Sequence, residues 1–140
     1  MKKLIALLLL SPLAFAEEIE MIDLQEYINT NSTEDPATMF YVATRCSALF
    51  SLAATLSKDS SENNQKFAGA GNDFLELALL VRMQIEPSIE PKVHAEITKN
   101  TMLAIFQRYF NTANKNYIDT GTYFTERMFR DTEICGTLNK

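Results

Sequence analysis

Apolar residues recur at intervals of three and four along most of this chain, and proline, glycine or short polar clusters separate the recurring stretches. A weak stripe at Met21, Ile22, Leu24 and Ile28 predicts a short first helix over Ile19 to Ile28, closed by the turn-forming run Asn29-Thr30-Asn31-Ser32-Thr33. Asp35-Pro36 then opens a second helix, with an aspartate to accept from free amides and a proline where its missing N–H costs nothing. Its stripe is Met39, Val42, Ala43, Cys46, Leu49, Phe50 and Ala53, and Lys58-Asp59-Ser60-Ser61 ends it.

A third stripe, Phe67, Ala70, Phe74, Leu77, Ala78, Val81 and Ile85, predicts a helix over Ser61 to Ile85. Gly69 and Gly71 lie inside it. Each glycine costs a helix about 1 kcal/mol, which a long stripe outweighs, so the helix is expected to run through both. Pro87 and Pro91 mark a connection. In the next stretch, Lys92 to Tyr117, residues Met102, Ile105, Phe106, Tyr109, Phe110, Ala113 and Tyr117 share one broad face, while Val93, Ile97 and Ala104 point roughly the other way. The expectation is either core on both sides near the start of this helix or an irregularity around residues 98–100. A last helix, Tyr123 to Cys135, carries Phe124, Met128 and Cys135, with Gly136 as its expected stop. No stretch alternates with the period of a strand. The fold class is therefore all-α, a small bundle of four main helices plus a short N-terminal one, with short connections favouring an up-and-down arrangement.

The second helix lacks a charged side: Thr44, Ala48, Ser51 and Thr55 lie opposite its stripe. Such a helix is expected to be surrounded by others. Membrane insertion competes with that expectation, but Arg45 at the centre would cost about 2.5 to 3.5 kcal/mol.

Compartment is read from the start of the chain. MKKLIALLLLSPLAFA combines two lysines, an apolar run and the small-residue ending Ala14-Phe15-Ala16, the pattern of a secretory signal cut after Ala16. Its apolar run is shorter than the roughly 20 residues that span a bilayer. The expectation is a signal peptide over 1–16, a single domain over 17–140, a periplasmic or secreted location, and no stable membrane insertion after cleavage. Without residues 1–16 the chain holds 11 basic and 18 acidic side chains, a formal charge of −7. No basic patch offsets this, so nucleic acid is not an expected partner.

Two cysteines in an exported chain, each on an apolar stripe, predict one disulfide, Cys46–Cys135, tying the second helix to the last. A thiol nucleophile would need a base, and the chain has one histidine, His94, and no CxxC pair. His94 follows Glu90 by four residues, which makes at most half of a zinc site; the expected role is a partly exposed surface histidine. Haem held by His94 and one of Met39, Met83, Met102 or Met128 is the cofactor alternative, since helical bundles do host haem. The leading expectation is no cofactor. Glu126 and Arg130 are expected to form a surface pair. No serine lies in a nucleophile context, and no catalytic constellation is visible.

Two features suggest binding. Phe106, Tyr109, Phe110, Tyr117, Tyr123, Phe124 and Phe129 concentrate aromatic surface near the last two helices. They are expected to fill the core there, and those facing outward would suit a partner or an apolar ligand. Arg45, with Tyr41 on the same flank, is either an ion-pair partner of a neighbouring helix or an anchor for an anionic group. The expected function is non-catalytic: a small exported protein that binds a protein partner or a small apolar or anionic ligand, with homodimerisation a further expectation. The lesser alternatives are the haem bundle and an enzyme built on carboxylates and Arg45.

Overall fold

A computed structural model describes residues 21–140, and the signal expected over 1–16 lies outside them. Five helices follow in order: α1 (Leu24–Thr30), α2 (Pro36–Leu56), α3 (Ser61–Ile85), α4 (Pro91–Thr120) and α5 (Glu126–Leu138). No strand occurs among the described residues, so the fold is the all-α bundle its periodicity predicts.

The helix starts follow local chemistry. Asp23 accepts from the Gln25 amide at 2.9 Å to begin α1. Asp35 accepts from the Thr38 amide at 3.1 Å, with Pro36 at the first helical position of α2. Thr125 caps α5 by accepting from the Met128 amide at 3.2 Å. Gly121 closes α4 in the left-handed region, at φ 79°, where a side chain would be strained. The last helix therefore starts three residues after its expected position, because the chain between Gly121 and the Thr125 cap remains a turn. It also runs past Gly136, which lies inside α5 without positive φ.

Helix α2 is the axis of the molecule, packed by α3, α4 and α5. Every residue from Val42 to Phe50 is buried, which accounts for its missing charged side. By length and hydropathy α2 could cross a membrane, yet 67% of its most apolar window is buried within the bundle. One core cluster joins Leu49 and Leu52 of α2 to Ile105 and Tyr109 of α4, Met128 of α5 and Met21. The other joins Val42, Cys46 and Phe50 to Phe74 and Ala78 of α3, Cys135 of α5 and Leu24 of α1.

Helix α3 is continuous through both glycines, and only one of them has a packing role. A Cβ at Gly71 would sit 3.1 Å from Ser51 Oγ, while one at Gly69 would meet nothing within 4 Å. The Ser47 hydroxyl donates to the Gly71 carbonyl at 2.8 Å, so α2 and α3 approach closely at this point.

Helix α4 is regular, so of the two alternatives the irregularity at 98–100 is absent; the start of the helix does meet the core, but not through Val93 and Ala104, which face solvent. The buried stripe near its start is polar: His94 and Thr98, spaced four apart and continued by Ile105 and Tyr109. His94 is thus a core residue and not the expected surface one. The Glu126–Arg130 pair is likewise replaced: Arg130 reaches across to Asp23 of the α1 cap, at 3.2 Å.

Candidate functional site

The predicted disulfide is present. Cys46 and Cys135, 89 residues apart, are bonded at a Cα–Cα distance of 5.5 Å and are both fully buried. Beside it lies Arg45, also without solvent exposure. Its Nη2 donates to Asp131 Oδ2 at 2.6 Å and its Nε to the Tyr109 hydroxyl at 2.7 Å, with the Tyr41 hydroxyl 3.5 Å from Nη1. Tyr109 in turn donates to Asp131 Oδ2 at 2.9 Å, and Asp131 Oδ1 accepts the Leu24 amide at 3.0 Å. Three helices and the start of α1 thus meet on one carboxylate.

This network is closed. Burial works against the Arg45 charge, but the Tyr109 oxygen and the Asp131 carboxylate outweigh it and hold the guanidinium above its ordinary range. Burial likewise pushes the Tyr109 hydroxyl up; Asp131 adds to that effect and Arg45 opposes it. With no exposure and its strongest donors taken, Arg45 takes the first of its two expected roles, the ion-pair partner of a neighbouring helix, and is not placed to anchor an external anion. An enzyme built on Arg45 loses its open cleft for the same reason.

Sequence reasoning missed Asp131, although the signal was there. Met128, Asp131 and Cys135 are spaced three and four apart, so the aspartate sits in the middle of the α5 apolar stripe, one turn from the bonded cysteine.

The other candidate residues disperse. Tyr109 is buried in the network, while Phe106 and Phe110 stack on each other, half-buried against the core. Tyr117 and Tyr123 stack face to face at 4.3 Å and are exposed at the α4–α5 turn, while exposed Phe129 packs at 5.5 Å on the half-buried Phe124. The aromatic-rich segment is therefore core on one side and open surface on the other. His94 Nε2 lies 2.9 Å from the Glu86 carbonyl, which ties α4 back to the preceding turn, and Nδ1 has no partner. No group of three or more histidine, cysteine, aspartate or glutamate side chains among the described residues could hold a metal.

A surface that no sequence stripe announced lies between α3 and α4. Both pack on α2 and leave between them an open groove of about 420 Å³. Asn72, Leu75, Glu76 and Leu79 line it from α3, and Ala95, Thr98, Lys99 and Met102 from α4. The Thr98 hydroxyl is already committed to the His94 carbonyl at 2.8 Å, so the floor presents hydrocarbon. Leu75 and Leu79 lie off the α3 stripe, and those extra leucines were the one sign in the sequence of a second apolar surface.

Comparison with protein-family models, with curated proteins and with solved structures finds no match for this chain.

Proposed function

We propose that this is a small exported binding protein, without catalysis, whose α3–α4 groove seats an apolar part of another molecule. The observation that carries this reading is the groove: a concave, half-exposed apolar surface with polar groups only at its edges, in the size range of ligand sites, roughly 300 to 1,000 Å³. Export is supported by the pattern of residues 1–16 and by the Cys46–Cys135 bond, which suits an oxidising compartment. The acidic balance argues against nucleic acid as the partner.

The haem alternative draws no support from His94, which is buried in the first turns of α4 with its Nε2 engaged by the Glu86 carbonyl. A catalytic role draws none from Arg45, for the reasons above.

The test uses N-phenyl-1-naphthylamine, a neutral dye that brightens in apolar sites, with the mature protein and Ala95→Trp. Ala95 is exposed at the groove edge, so an indole there fills the groove without disturbing the core. Saturable dye binding that is lost in Ala95→Trp, at an unchanged melting temperature, is expected. Dye binding that is absent, or that survives the filled groove, overturns the proposal.

A further inference from the structure

The two rims of the groove carry opposite charge. Glu76 stands on the α3 rim and Lys99 on the α4 rim; both are exposed, and neither forms an ion pair within the described residues. The floor between them, formed by Leu75, Leu79 and Met102, is hydrocarbon. The Thr98 hydroxyl donates to the His94 carbonyl, and Asn72 is the one side-chain amide in the lining, too little to pair the backbone of an extended chain. An occupant must therefore present an apolar face whose own polar groups are satisfied, with a positive group toward α3 and a negative one toward α4.

An extended peptide fails the first condition, because its backbone N–H and C=O groups would be buried unpaired. A fatty acid meets it, but its carboxylate gains Lys99 while facing Glu76. A second copy placed groove to groove matches the charges, yet it encloses two concave volumes of about 420 Å³ each, against the close packing of protein interiors. A helix satisfies its own backbone, puts an apolar ridge at i, i+3, i+4 and i+7 into the groove, and has two flanks, one for each rim.

We infer that the α3–α4 groove receives an amphipathic helix of a partner protein, basic along the flank beside Glu76 and acidic along the flank beside Lys99. This rests on the groove reading above and goes beyond it, because turning a helix end to end exchanges its flanks. The rim charges therefore select the direction in which the partner helix lies, much as flanking charges orient coiled-coil pairs.

One synthetic peptide tests this: a helix of about 20 residues, roughly 30 Å long, with a leucine ridge, one lysine flank, one glutamate flank and a donor dye at its N-terminus. The acceptor sits on Ser61→Cys at the exposed start of α3, labelled selectively because both native cysteines are bonded. The wild type is expected to hold the peptide in one direction. Glu76→Lys and Lys99→Glu should each weaken binding by about three- to tenfold at low ionic strength, less in salt. The double swap Glu76→Lys/Lys99→Glu keeps net charge constant and should bind within about twofold of wild type with the energy transfer inverted.

Unchanged direction in the double swap overturns the inference, as does equal occupancy of both directions. If the naphthylamine dye binds and is displaced by palmitate but not by the peptide, the groove reading stands and the helix inference falls. If light scattering shows a wild-type dimer that Ala95→Trp disperses, the occupant is a second copy and the inference again falls. Absence of dye binding removes both.

Discussion

A guanidinium taken wholly out of water is tolerable only with its countercharge in place, and Asp131 supplies that for Arg45 at 2.6 Å. The expected consequence is an asymmetry between single and paired substitutions. Arg45→Met leaves the Asp131 carboxylate buried without its cation and should cost about 3 to 5 kcal/mol, much of the roughly 5 to 15 kcal/mol that holds such a domain. Arg45→Met/Asp131→Leu should recover part of that loss but not all, because the Leu24 amide loses its acceptor, worth about 1 to 3 kcal/mol. Urea titration of the wild type, Arg45→Met, Asp131→Leu and the double variant decides; a double variant weaker than the sum of its singles would contradict the network.

The Tyr109 hydroxyl adds a pH dependence. Its proton is held more tightly in the folded than in the unfolded chain, where the ordinary value is 10.0. The raised group thus contributes stability that is fully present below pH 10.0 and is lost as pH rises through the native value. Urea midpoints measured across pH 10.0 should fall more steeply for wild type than for Tyr109→Phe, and equal slopes would remove Tyr109 as the cause.

At the scale of elements, the two glycines of α3 should behave oppositely. Gly69 is helical, exposed and free of neighbours, so Gly69→Ala should stabilise by about 0.5 to 1 kcal/mol through backbone entropy alone. Gly71 faces Ser51 Oγ and the Ser47 carbonyl, so Gly71→Val should destabilise by forcing α2 and α3 apart, at about 1 to 3 kcal/mol. Thermal melts of both variants check this, and a stabilised Gly71→Val would mean the helices do not meet there. The start of α2 was legible because Asp35 and Pro36 mark it together, whereas the starts of α1 and α5, capped by Asp23 and Thr125, lie later than the apolar pattern alone places them. The end of α5 was not legible, since a glycine can sit inside a helix whenever tertiary contacts cover its cost. The buried start of α4 was hidden for another reason: His94 and Thr98 are polar, and an apolar pattern cannot register a polar stripe.

For the whole molecule, the Cys46–Cys135 bond closes a loop of 89 residues and fastens α5, a 13-residue helix, to the central α2. In the chain-entropy account such a bond contributes about 4 to 5 kcal/mol. Cys46→Ala/Cys135→Ala should therefore lose stability of that order in urea, and α5 should show the earliest hydrogen exchange, because what remains to hold it is Met128, half-buried Ile134, the Asp131 network and the exposed Arg130–Asp23 pair. Uniform exchange across all helices would show that α5 is held by packing alone.

The sequence by itself determined the all-α class, the positions of the main helices, the pairing of its two cysteines and the burial of α2, because each follows from local periodicity, caps or a count of two. The expectations of export and of a non-catalytic role also come from it. Only the tertiary structure decided that Arg45 is an internal partner of Asp131, that His94 is core, and that an apolar groove with oppositely charged rims opens between α3 and α4. Those depend on which faces of distant helices meet. The period of a stripe says that a face is buried, but not against what, and not where two helices on a common neighbour leave space between them.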